Sequence, residues 1–254
     1  MEFEITLFSV SMLMIAGFLA GFINTIAGGG SMLTLPALMI FGLPADIANG
    51  TNRVGIFLQS IAGARGFHKK GKLTPSEIVP TLIPTLVGAL FGSTLASYLP
   101  VTWLKPALLG TMLAMALLML FKPSVVAPPA GTPTFTLKEK PIAVLGLFLA
   151  GFYGGFVQAG VGFIIIAAVA GGLRFDLVRT NALKMAITAA LTVIALIVFI
   201  IRDQVLWIPG LIMAVGTVVG AMVSVQFAIN VPQYVLKWVL FVMVLITCVA
   251  AYLS

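Results

Sequence analysis

Two cations, Arg53 and Lys184, sit where a membrane-spanning chain rarely carries charge. Each falls a turn or so inside a long apolar segment, just after a Thr-Asn pair: Thr51-Asn52 before Arg53, and Thr180-Asn181 before Lys184. Charge within a bilayer is costly and by default marks function. Snorkelling to the interface is the competing reading for residues so near a helix end. Ahead of each pair lies a glycine-rich break, Gly28-Gly29-Gly30-Ser31 in the first half and Gly160 with Gly162 in the second. A helix that stops and restarts there frees backbone N–H groups and presents the positive end of a half-helix dipole, which attracts anions. Close helix packing through small residues is the alternative. Asn24 and Gln158 precede the two breaks, so their amides could line one cavity from two sides or bond nearby backbone.

The acids are placed differently. All seven carboxylates, Glu2, Glu4, Asp46, Glu77, Glu139, Asp176 and Asp203, fall at termini, in loops or at segment ends. None stands mid-span to relay a proton or hold a metal cation. Asp46 and Asp176, a few residues before each Thr-Asn pair, read as helix N-caps. His68 adjoins Lys69 and Lys70 in an expected solvated loop, away from any buried serine that would need it as a base. Cys248 is the single cysteine and reads as packing. No catalytic residue, cofactor or metal is therefore expected. Gln59, Thr188, Thr192 and Gln226 are also polar within apolar segments, and the sequence does not rank them.

The elements that must position these residues follow from composition. Hydrophobic residues make up 61%, charged residues 8%, and the mean hydropathy is +1.18. Soluble domains carry about 25% charged residues, so this is an all-α, polytopic integral membrane protein with the lipid bilayer as its main partner. The N-terminus, MEFEITLF, has no positive region and reads as the start of the first transmembrane helix rather than a cleaved signal. Segments long enough to span run at about 5–27, 49–67, 78–99, 103–121, 141–161, 180–201, 205–229 and 234–253. Two shorter runs, about 31–41 and 163–173, each follow a break and read as re-entrant or interrupted half-helices.

The chain is duplicated. GFLAGFIN at 17–24 matches GFYGGFVQ at 151–158, the Thr-Asn pairs match, and Gly88/Gly92 followed by Leu104-Lys105 matches Gly216/Gly220 followed by Leu236-Lys237. The Gly88/Gly92 and Gly216/Gly220 spacings read as close helix packing. A first membrane repeat (1–121) and a second (141–254) flank a Pro-, Ala- and Thr-rich linker at 122–140. If each half counts five segments, four spanning helices plus one short broken one, then Arg65, Lys69, Lys70, Lys72, Lys122, Lys138, Lys140, Arg174, Arg179 and Lys237 share one face. Arg53, Lys105 and Arg202 fall at the other. The positive-inside rule favours that count, which makes the halves inverted repeats in the inner membrane, the basic face and linker cytoplasmic and both termini extracytoplasmic. The net charge of +7 thus reports orientation, not nucleic acid. Duplicated membrane halves are a common build of secondary transporters, with the site where the halves meet.

GFxxGFIN leading to AGGGSMLTLPAL, then GLPADIANGTNR, and in the second half GFxxGFVQAGVG and RTNALK, together resemble the sulfite exporter TauE/SafE family, also called the toluene sulfonate uptake permease group. The resemblance runs over essentially the full length and implies transport of small sulfur-containing anions such as sulfite, sulfoacetate or other organosulfonates. Cationic residues and half-helix N-termini without a mid-span acid agree in sign with an anion site. With the cell interior negative, each negative charge leaving gains about 2.3 kcal/mol per 100 mV, so export needs no coupling ion. The expectation is an anion exporter working by alternating access. Its site would comprise Asn24, Gly28, Gly29, Gly30, Ser31, Thr51, Asn52, Arg53, Gln158, Gly160, Gly162, Thr180, Asn181 and Lys184. Proton- or sodium-coupled uptake and an anion channel stay open, and an enzyme does not fit.

Overall fold

The computed structural model describes residues 5–26, 28–121, 128–129 and 131–227, with positions 242, 245, 246, 249, 250 and 252. Among the described residues the elements are all helical. In chain order they are α1 (Leu7–Ile26), α2 (Ser31–Ile40), α3 (Ala45–Lys69), α4 (Pro75–Tyr98), α5 (Val101–Phe121), α6 (Ile142–Phe156), α7 (Val161–Ile166), α8 (Leu177–Ile201) and α9 (Trp207–Phe227). From α7 the chain runs on into a π-helical turn, Ala167–Gly172. Five of these helices are long and apolar enough to cross a membrane. At 25 residues α3 has the length, about 37 Å, but its face of Asn, Thr and Arg lowers its apolarity and suits a buried position. The expected span at 234–253 lies almost wholly outside the described residues, as does Cys248.

One expected span is corrected. The apolar run at 141–161 is not a single crossing: α6 ends after 15 residues, and the chain turns at Gln158 and Gly160, both at positive φ (66° and 81°). It then returns through α7 and the π turn along α6, where Gly146 meets Ala168 and Gly172 meets Ala143. In the first half α1 and α2 form the same kind of hairpin, with the ring of Phe8 on α1 set edge-on 6.4 Å from that of Phe41 just after α2. Both short runs therefore turn back along the helix before them, returning the chain to the end it came from. A single-span reading fails here because apolarity marks what faces lipid or core, not where a helix stops.

The hairpins open toward opposite ends. The α6–α7 hairpin opens where Phe135 of the linker donates its N–H to Leu173 O (2.9 Å). Its ring is flanked there by Lys140 and Arg174. In the same linker stretch the Thr136 N–H and hydroxyl both donate to Glu139, holding its carboxyl below the usual range. At this end too, Lys70 donates to Val225 O, and Gly71, Lys72, Thr74, Glu77, Asp176 and Arg179 border a cleft of about 300 Å³ crossed by the Arg179–Glu77 ion pair. The α1–α2 hairpin opens at the other end. There Gln204 donates to Asp46 and to Ser97 O, and Arg202 lies over the Tyr98 ring. Asp46 stands in the first turn of α3 after Pro44, so its carboxylate accepts from Gln204 instead of capping the helix. Asp176 does cap α8, accepting from the Val178 and Arg179 N–H groups. His68 is exposed in the last turn of α3, its Nδ1 3.2 Å from Leu73 O, so it belongs to a helix end and not to a loop.

Each hairpin packs on the other half. Helix α1 lies along α9 and α6 along α4, both parallel, through glycines on both sides. A β-carbon at Gly21 would overlap the Thr217 carbonyl, and one at Gly220 would overlap that of Phe18. Gly155 stands the same way against Ala89, and Gly92 against Phe152. Every member of the GxxxG pairs is thus used for backbone approach across the halves. Helices α3 and α8 cross antiparallel between them: Gly50 meets Phe199 and Gly63 meets Met185. Replacing Gly21 or Gly155 by Leu should cost about 1–3 kcal/mol or more by overpacking. Gly110→Ala, where nothing lies within 4 Å, should be neutral or slightly stabilising. Thermal unfolding in detergent checks the contrast.

Candidate functional site

A helix that stops inside the membrane leaves its last carbonyls unpaired and at the negative end of its dipole. Helix α6 stops this way, and α3 of the other half supplies the donors. Arg53 Nη1 donates to Gly154 O (2.9 Å) and Nη2 to Gly155 O (2.5 Å), while Asn49 Nδ2 donates to Phe156 O (2.8 Å). Helix α1 is held from α8: Lys184 Nζ donates to Asn24 O (2.8 Å), Thr25 O (3.1 Å) and Asn181 Oδ1 (2.9 Å). Both cations are buried, Arg53 at 0% and Lys184 at 1% exposure, which rules out snorkelling. The Arg53 guanidinium also lies over the Phe199 ring, 4.7 Å from its centroid. Among the described residues no carboxylate pairs with either cation; the one ion pair is Arg179–Glu77.

The tips of the hairpins lie side by side. Gly28, at φ 91°, stands in backbone contact with Gly162, and Gly160 meets the Met32 methyl. Gln158 ties the tips together: its Oε1 accepts from Arg53 Nη1 (2.6 Å), its Nε2 donates to Thr192 Oγ1 (2.6 Å), and its carbonyl accepts from Ser31 Oγ (3.3 Å). A non-glycine residue in the left-handed region is costly, and here side chains of three helices, α2, α3 and α8, hold it there. Ser31 opens α2 without capping it. The Met32 and Leu33 N–H groups bond to Gly29 and Gly30 carbonyls, so the break leaves fewer free amides than its sequence implies. Gly30 packs against Ala20 O within its own hairpin.

Not every expected site residue comes to the tips. Thr51 Oγ1 accepts from the Leu206 N–H at the start of α9, and Thr180 Oγ1 donates to Phe175 O before α8. The asparagines beside them turn inward. Asn181 accepts from Lys184, and Asn52 is fully buried with neither amide atom partnered. Asn24 is buried and gives its carbonyl, not its amide, to Lys184. Residues that sequence reasoning missed are Asn49, which shares the α6 end with Arg53, and Thr192, left unranked, which receives Gln158. The available signal was helical spacing: Asn49 lies one turn before Arg53, and Thr188 and Thr192 extend the face of Asn181 and Lys184.

The arrangement can place two positive charges beside two helix breaks in a water-poor interior, which favours an anion between them. It also carries the breaks themselves. Replacing Lys184 by Met, which leaves Asn24 O, Thr25 O and Asn181 Oδ1 without their donor, should cost about 1–3 kcal/mol for each group left unsatisfied. The melting temperature in detergent, against Lys184→Arg, checks it; Arg should recover part of the loss.

The sequence profile described as Sulfite exporter TauE/SafE matches residues 13–251. A probable membrane transporter protein, ORF9, of Sinorhizobium sp is 30% identical over 86% of this chain and 83% of its own length. A probable membrane transporter protein of Haemophilus influenzae is 28% identical over 84% and 82%. The probable membrane transporter protein YfcA of Escherichia coli K12 is 27% identical over 93% and 89%. With its broken, apolar hairpins and full-length match, the chain belongs to the sulfite exporter TauE/SafE family of multi-pass membrane transporters.

Proposed function

We propose that this protein exports small sulfur-containing anions, such as sulfite, sulfoacetate or related organosulfonates, by alternating access of two inverted halves. The observation that carries the reading is the pair of broken hairpins that enter from opposite ends and lie tip beside tip, each held by a cation of the other half. The exchange of partners supports inverted repeats: α1 with α9 and α6 with α4 are the same contact with the halves interchanged. Lys70, Lys72, Lys140, Arg174 and Arg179 gather at one end, and the positive-inside rule makes that end cytoplasmic in the inner membrane, with both termini outside.

The family's description supports the substrate class, and the names of the relatives specify none. The sign of the site favours an anion, and the membrane potential favours its exit. Rocking of one half against the other would open the space between the tips to each side in turn.

The test is flux in proteoliposomes loaded with sulfite, sulfoacetate, taurine or simple inorganic anions, under an imposed potential of either sign. Saturable, potential-driven sulfonate flux without a proton or sodium gradient is expected. Arg53→Gln and Lys184→Gln should each reduce it about tenfold or more, ~1.4 kcal/mol in the transport step. Normal flux in both variants would overturn the site. Flux only under a cation gradient would instead establish coupled uptake, and flux without saturation a channel.

A further inference from the structure

Helix α3 carries buried polar atoms that no protein group satisfies. One is Asp46 Oδ1, in the first turn at the end where Gln204 meets it; the others, further along, are both amide atoms of Asn52, the Nε of Arg53, the Oε1 of Gln59 and the Oγ of Ser60. Asn52, Gln59 and Ser60 are at most 1% exposed. Leaving such groups unpaired costs about 1–3 kcal/mol each, so a fold keeps several together only where something else meets them.

Their place in the fold fits that need. Asn52, Arg53, Gln59 and Ser60 fall on one broad face of α3 at helical spacing. Helices α3 and α8 run antiparallel, with Gly50 at Phe199 and Gly63 at Met185, so Gln59 and Ser60 lie level with Thr188. Thr188 stands on α8 one turn from Lys184, which holds the α1 tip, and one turn from Thr192, which meets the α6 tip. The unsatisfied strip thus starts at Arg53 beside one tip and reaches the level midway between both.

The chemistry of the strip is mixed. Asn52 Nδ2 and Arg53 Nε are donors, Asn52 Oδ1 and Gln59 Oε1 are acceptors, and Ser60 Oγ can be either. An anion made only of acceptor oxygens would meet the donors and leave both amide oxygens facing negative charge. Charge also narrows the choice. Arg53 and Lys184 bring at most two positive charges, each set against a helix end worth roughly half a negative charge, a remainder of no more than about one. Resting on the transport reading above, we infer that the strip of Asn52, Gln59 and Ser60 on α3 selects singly charged sulfonates that carry their own O–H donor. The sulfonate sits at Asn52 and Arg53 Nε, and the hydroxyl sits at Gln59 and Ser60. Arg53 terminal nitrogens and Lys184, engaged on helix ends, supply field and scaffold.

The experiment compares ethanesulfonate with 2-hydroxyethanesulfonate, which differ in the donor alone, as substrates of the full chain in proteoliposomes. The wild type should prefer the hydroxylated anion about tenfold or more in apparent affinity, ~1.4 kcal/mol. Gln59→Leu and Ser60→Ala should each shrink that ratio toward one. Ser60→Ala, which removes a single atom, decides the matter if Gln59→Leu does not fold. Equal handling of the two sulfonates by the wild type would overturn the inference and leave the exporter reading intact, and so would a preference that neither variant changes. Transport of neither sulfonate, nor of sulfite, would overturn both.

Discussion

A helix end inside a membrane must find donors for its carbonyls, and everything else in this fold follows from how two such ends find theirs. Water and lipid headgroups are out of reach at that depth, so protein must serve. Arg53 and Asn49 serve α6, and Lys184 serves α1. In each case the donor comes from the opposite half of the chain. The breaks, the central crossing of α3 and α8 and the cation pair are therefore one construction.

That construction explains why the interior tolerates two positive charges without a carboxylate. A buried cation is stabilised when it faces the negative end of a helix and several carbonyl oxygens, and the helix end is stabilised in return. An acid in the same place would compete with an incoming anion. Among the described residues no carboxylate pairs with Arg53 or Lys184.

Much of this was legible in the residues because the membrane makes exceptions conspicuous. Arg53, Lys184 and the triple glycine stand out against a chain with 8% charged residues. The duplicated landmarks located both breaks. What stayed illegible depended on direction. Thr51 and Asn52 are neighbours in sequence, but successive helix residues point about 100° apart, so one reaches α9 and the other the interior. The 141–161 run concealed a turn because Gln158 adopts a left-handed conformation that its residue type does not announce. Which element a GxxxG face meets is likewise not written in the spacing: the pattern tells that a backbone comes close, not whose.

The exchanged packing of the hairpins also bears on how the chain is made. When α1 leaves the ribosome, the helix that will cover Gly17 and Gly21 is α9, the last of the described spanning elements to be synthesised. Helix α4 likewise waits for α6, and the carbonyls at the end of α1 wait for Lys184. The first half consequently reaches the bilayer with its closest-packing surfaces bare and one helix end unmet. Insertion and assembly are separated in time, and the first half must be sheltered, by the insertion machinery or by lipid, until the second half arrives to complete it.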